Sequence, residues 1–224
     1  MMSNGKTGFG RNRIWAGEPL VLFVEGYSDL TFYAELLEHL GLFEHCFIQD
    51  LGGKGRTKLQ DEATLLLKPD NLARMKAVAV LLDADENAEA SFALARSAMR
   101  DAIGCDISQT SQWFNHPETK VRLGIFIVAG ASGKGELETL AWEAWKTHVN
   151  NAGLQKCVED FICCSIQSGS RLQSVDKVRI GAALSVLNED DPRLGPGARA
   201  NLLDFDSAEF KPLCDFFSRL KPLA

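Results

Sequence analysis

The sequence predicts an α/β protein: a mostly parallel sheet flanked by helices, with a helical C-terminal part. Apolar runs of strand length recur, segments with helical spacing separate them, and acidic residues gather where the first and third runs end. Alternation of this kind belongs to parallel sheets joined by helical crossovers. The strand-like runs are Leu20 to Val24, Cys46 to Leu51, Val78 to Leu82, Leu123 to Val128 and Phe161 to Ile166. Helical spacing covers Leu30 to Leu40, Ala88 to Ile103 and Glu136 to Val149. Leu30, Tyr33, Leu36, Leu37 and Leu40 form one apolar face, and Gly41 is placed to stop that helix. In the last quarter, Arg171 to Leu187 reads as a helix, Asp191 to Gly197 as a stiff turn, and Ser207 to Leu220 as a final helix.

At 224 residues the chain is long enough for one good core, so one compact unit with extensions is expected. The divisions are an N-terminal extension over 1–17, an α/β core over 18–168 and a helical extension over 169–224. With 46% hydrophobic and 24% charged residues, the composition is that of a globular protein and indicates no disordered class. The stretch Met1 to Arg13 lacks the apolar run of a signal peptide, and no run is long enough to span a bilayer. A cytoplasmic protein without membrane contact is the expectation. None of the six cysteines forms a C-x-x-C pair, so zinc spacing is absent and buried thiols are expected. The net charge of −6 disfavours sequence-independent coating of nucleic acid, yet it is compatible with a metal enzyme whose local basic patches hold a phosphate backbone.

The acidic clusters carry the chemistry. Val21-Leu22-Phe23-Val24 runs into Glu25-Gly26-Tyr27-Ser28-Asp29, and Val78-Ala79-Val80-Leu81-Leu82 runs into Asp83-Ala84-Asp85-Glu86. Ligands of open parallel sheets bind beyond the carboxyl ends of the strands. In a flavodoxin-like order, 2-1-3-4-5, the first and third strands are neighbours, and Glu25 then faces Asp83 and Asp85. Residues two apart in an extended segment share a side, which lets both aspartates reach one ion. Crowded carboxylates do not all stay ionised unaided, and a hard divalent cation with oxygen ligands is the usual remedy. Taken singly, each carboxylate also fits a helix N-cap or a first-turn charge.

Other segments add weaker signals. Gly130-Ala131-Ser132-Gly133-Lys134-Gly135 imitates a phosphate-binding loop but has Val128 where the first glycine belongs and Gly135 where Ser or Thr belongs. Nucleotide hydrolysis by this loop is excluded, although Lys134 can still meet a phosphate as a point charge. Glu138, opening the next helix, serves equally as a metal ligand or as a dipole-compensating charge. Gly52-Gly53-Lys54-Gly55-Arg56-Thr57-Lys58 is either a phosphate-approaching loop, through Lys54, Arg56 and Lys58, or a solvated turn. Arg171, Lys177 and Arg179 add a basic face. The four histidines show no metal spacing, and no Ser-His-Asp or Cys-His arrangement can be assembled.

Glu25 after the first strand and Asp83-Ala84-Asp85 after a later one resemble the TOPRIM (topoisomerase-primase) superfamily. The likeness is closest to small stand-alone prokaryotic TOPRIM-like proteins and, more distantly, to the TOPRIM half of the overcoming-lysogenization-defect (OLD) nucleases. Gly124 to Val128 with Gly135-Glu136-Leu137-Glu138, and the Lys177 helix with Pro192 to Leu203, extend it over most of the chain. The resemblance implies a Rossmann-like TOPRIM fold and Mg²⁺- or Mn²⁺-dependent phosphodiester chemistry. Glu25 would be the acid/base group, Asp83 and Asp85 metal-holding catalytic residues, and Glu25, Asp29 and Glu138 further metal ligands. Lys54, Arg56, Lys58, Lys134 and Lys177 would contact nucleic acid. Rejoining by topoisomerases needs a tyrosine from another domain, and primases need zinc and template-binding parts, so hydrolytic cleavage of DNA or RNA is the implied activity. An ABC-type ATPase partner and a role as a defence or toxin-like effector also follow from the resemblance. The alternative is a non-catalytic TOPRIM module that binds nucleic acid or a partner ATPase, and a homo-oligomer is left open.

Overall fold

The computed structural model describes residues 20–52 and 55–220. The expected N-terminal extension, 1–17, lies outside the described residues. Five strands form one sheet: β1 (Leu20–Val24), β2 (Cys46–Asp50), β3 (Ala77–Asp83), β4 (Gln112–Asn115) and β5 (Arg122–Val128). Their order is β2-β1-β3-β5-β4, parallel throughout except for the antiparallel edge pair β4–β5. The protein is thus an α/β fold of Rossmann-like type, and β1 and β3 are neighbours as the sequence predicts.

Nine helices occur among the described residues: α1 (Tyr27–His39), α2 (Gly55–Leu66), α3 (Pro69–Leu72), α4 (Ala88–Ile103), α5 (Leu137–Lys146), α6 (Ala152–Gln167), α7 (Val175–Leu187), α8 (Leu194–Arg199) and α9 (Lys211–Ser218). None is long and apolar enough to cross a membrane. The strand residues alternate between two cores, which is why the runs read as continuously apolar. Val21, Phe23, Val78, Val80, Leu82, Leu123 and Ile125 meet Leu59 and Ala63 of α2 and Ala95 and Met99 of α4. Leu20, Leu22, Val24, Ala77, Ala79, Leu81, Phe126 and Val128 meet α1, α5 and the C-terminal helices α7 to α9. Gly41 follows α1 at φ +70°, ending it where expected.

Three expectations are corrected. Phe161 to Ile166 is not a strand but the last turns of α6. Val158 and Ile162 are buried while Phe161 and Ile166 are each 53% exposed, so the helical period, not the apolar run, decides the element. The fifth strand is instead Gln112–Asn115, a short edge strand. Because α6 is a surface helix, Cys157, Cys163 and Cys164 are exposed rather than buried. Within the expected turn Asp191 to Gly197, the part from Leu194 is helical, with Leu194 and Gly195 buried against the sheet-facing core.

The C-terminal helix is fastened to the sheet by aromatic packing. Phe216 stacks on Trp113 of β4 with ring centroids 4.5 Å apart and 15° between planes, and Trp113 Nε1–H donates to the Phe216 carbonyl at 2.8 Å. Gly124 on β5 makes room for this ring, since a Cβ there would lie 2.7 Å from Phe216 Cζ. Phe216→Ala leaves an aromatic-sized void at a nearly fully buried position and is expected to cost about 3–5 kcal/mol. Denaturant unfolding of the variant checks this, and a loss below about 1 kcal/mol would mean that α9 is not part of the cooperative core.

Candidate functional site

The site is built where β1, β3 and β5 end. Val24 pairs with Leu81, so Glu25, one step beyond β1, arrives beside the end of β3. Its Oε1 accepts the Asp83 backbone N–H at 3.0 Å. Gly26 is the N-cap of α1, and Asp29 Oδ2 reaches back to accept the Gly26 N–H at 2.9 Å. Asp29 is therefore a capping residue, as the plain reading of the sequence allows, and its carboxyl also lines the cavity. Asp83 closes β3, and its Oδ1 accepts the Leu137 N–H at 3.0 Å, one of the unpaired first-turn donors of α5.

Asp85 is not in an extended segment, so the alternation argument for Asp83 and Asp85 fails in its detail. Its φ is +48°, a left-handed conformation that Asp tolerates better than most side chains. That turn is stitched to the β5–α5 loop: Asp85 N–H donates to the Gly135 carbonyl at 2.8 Å and Gly135 N–H to the Asp85 carbonyl at 2.7 Å. Gly135, at φ +105°, has Thr139 so close that a Cβ would fall 2.5 Å from its Oγ1, so the stitch requires glycine there. The stitch, rather than pleat alternation, brings Asp85 to the crevice.

Glu25, Asp29, Asp83, Asp85, Glu136 and Glu138 all line one cavity of about 490 Å³. Glu136 caps α5, and its Oε1 receives the Ser174 hydroxyl. Glu138 is only 6% exposed. Lys177 of α7 enters the same cavity, with Nζ 3.3 Å from Glu138 Oε1 and 3.4 Å from Glu136 Oε2. Among the described residues, no three His, Cys, Asp or Glu side chains are already gathered in the geometry that holds a metal ion.

Electrostatics follow from this crowding. Burial, then the negative charge of Glu138, pushes the Asp29 carboxyl up to about 7. Burial, then Asp29, Glu25 and Glu138, raises Asp83 well above the carboxylate range. Glu138 is also raised, chiefly by burial, against the pull of Lys177. For Lys177, partial burial works downward, but Glu138 and Glu136 outweigh it and the net direction is up.

The structure thus brings together Glu25, Asp29, Asp83, Asp85, Glu138 and Lys177. Lys134 stands on the adjoining rim, its Nζ 3.1 Å from Glu86 Oε2. Lys58 belongs to α2 and does not line the cavity. Lys54 and the Arg56 side chain lie outside the described residues. Sequence reading passed over Glu136 as a ligand candidate, although its spacing of two from Glu138 was a signal. Arg193 carries no local signal as a cavity residue, because α8 reaches the site only through tertiary packing, whereas Tyr27 lies inside the Glu25 to Asp29 segment.

The raised carboxyls make stability depend on pH. Asp29 titrates near 3.8 when unfolded and near 7 when folded, so the fold favours its protonated form. That contribution is complete below about pH 4 and is lost as pH rises through about 7. In chelator, melting temperature is expected to fall between pH 5 and pH 8, and Asp29→Asn to flatten the fall in part, since Asp83 and Glu138 shift in the same direction. Equal slopes for the parent and Asp29→Asn would contradict the assignment.

No curated protein matches the chain. Among solved structures, the C-terminal region of the Xanthomonas campestris pv. campestris OLD protein aligns over 92% of this chain and 97% of that one, at 15% identity and a TM-score of 0.47. A family model described as a protein of unknown function, DUF3226, matches residues 19–221. The strands, the carboxylate cavity and the helices that close it all lie within that match, and the chain belongs to the DUF3226 family.

Proposed function

We propose that the protein is a Mg²⁺- or Mn²⁺-dependent nuclease that hydrolyses phosphodiester bonds of DNA or RNA. The observation that carries this reading is the convergence of six acidic side chains from two strand ends and two helix starts on one cavity. Oxygen donors of this kind suit a hard divalent cation, and the raised carboxyls of Asp29 and Asp83 register charge that such an ion would neutralise. Asp83, Asp85, Asp29 and Glu138 are the groups to hold it, with Glu25 beside them. When bound, the ion would polarise the phosphodiester and lower the pKa of a water. Glu25, which accepts the Asp83 N–H, would move a proton at its carboxylate, and Lys177, now paired with Glu138, would meet a phosphate.

The pairing of Lys177 with Glu136 and Glu138 favours a second reading. A cluster already part-neutralised from within suits a non-catalytic module that binds nucleic acid or a partner ATPase. Incubation with plasmid, single-stranded DNA and tRNA in Mg²⁺ or Mn²⁺, with and without an ABC-type ATPase, separates the two. Cleavage supports the nuclease, and intact substrates in every condition favour the module.

Two variants refine the test. Asp83→Asn keeps an acceptor for the Leu137 N–H but loses a charged ligand, so calorimetry should show weaker Mn²⁺ binding; unchanged affinity would put the metal elsewhere. Glu25→Gln keeps an oxygen for the Asp83 N–H but not the proton-transfer role, and should slow cleavage roughly 10²- to 10⁴-fold with little change in substrate affinity. Cleavage near the parent rate would remove Glu25 from the chemistry.

A further inference from the structure

The cavity lining is of two chemical kinds. Besides the carboxylates it includes Tyr27, Ile180, Leu184, Pro192, Arg193 and Leu194. Half of these are closed packing: Ile180, Leu184 and Leu194 are at most 2% exposed. Tyr27 differs, being a large aromatic residue 42% exposed at the start of α1, two residues beyond Glu25. The Arg193 guanidinium lies 5.6 Å from the centroid of its ring. Arg193 is held there by Asp191, with Nε and Nη2 at 2.7 and 2.5 Å from the two carboxylate oxygens. A planar cation and an exposed aromatic ring, fixed by a carboxylate clamp, therefore form the rim of the acidic cavity.

We propose that this rim is a base-stacking subsite, and that the substrate presents an unpaired nucleotide, its phosphate at the acidic wall and its base against Tyr27 and Arg193. The inference rests on the nuclease reading for the phosphate and goes beyond it in naming the state of the nucleic acid. A volume of about 490 Å³ is that of a site for a small-molecule-sized group. A duplex offers its grooves only the edges of its bases, whereas aromatic rings and guanidinium planes take the faces of bases that are unstacked. Stacking of this type tolerates every base, so recognition by strand state rather than by sequence is expected. The competing account is that Tyr27 and Arg193 only lock α8 onto α1.

The test uses the full chain with Ca²⁺ in place of Mg²⁺, to hold phosphate without turnover, and two probes with equal phosphate number: a deoxythymidine hexamer and an abasic hexamer. The parent should bind the thymidine strand about tenfold or more tightly than the abasic one. Tyr27→Ala should lose that preference, Tyr27→Phe should keep it, and Mn²⁺ affinity should be the same in all three proteins. Equal binding of both probes by the parent, binding of neither, or a preference that survives Tyr27→Ala would overturn the subsite. A lower melting temperature in Tyr27→Ala with the preference intact would assign the pair to helix packing alone. Mn²⁺ calorimetry on the parent reports on the metal reading separately, so failure of one is distinguishable from failure of the other.

Discussion

The parallel register of β1 against β3 governs the rest of the site. With Val24 opposite Leu81, the first residue past β1 meets the last residue of β3, and the Asp83 N–H is directed at the Glu25 carboxylate. Both strands are buried on both faces, so neither can slip by one residue without turning its Leu and Val side chains from one core to the other. The apolar sheet thus fixes the spacing of charged groups it does not itself contain. The helices that follow act as donors as well as cover: α1 begins with Asp29 on its own N-cap, and α5 begins with an N–H on Asp83.

That arrangement concentrates charge at a place from which water is partly excluded. Asp29, Asp83 and Glu138 respond by holding protons more tightly, and Lys177 responds by holding its own. Proton and lysine are therefore two answers to one electrostatic problem, and the divalent cation proposed above would be a third, competing for the same oxygens. The balance between the first two shifts with pH, and on that proposal the supply of the ion would shift it further.

The four parallel strands and the β1–β3 adjacency were legible because buried strands are short, continuous apolar runs bounded by helices of clear period. Glu25, Asp29, Asp83, Asp85 and Glu138 were legible because each directly follows such a run or opens the next helix. Phe161 to Ile166 misled for the reason that makes short apolar runs ambiguous: the inward residues Val158 and Ile162 straddle its start. The edge strand Gln112–Asn115 was too short and too exposed to announce itself, and its partner Phe216 lies far along the chain. Asp85 lines the cavity through a left-handed turn rather than the extended geometry its spacing from Asp83 suggests. Tyr27 with Arg193 was invisible because nothing in local sequence says that α8 packs on the start of α1.

The stitch between Asp85 and Gly135 has a consequence for how the β5–α5 loop can vary. Above it the loop is closed a second time, where the Gly130 N–H donates to the Lys134 carbonyl at 2.8 Å, leaving Ala131, Ser132 and Gly133 as an exposed tip beyond the neck. Length added at that tip lies outside both closures and leaves Asp85 where it is. Length added between Lys134 and Glu136 would pass directly into the position of a carboxylate. The two lips of the crevice are in this sense a single tied piece, and the tip beyond the neck is held separately, through the Ala131 N–H on Glu143.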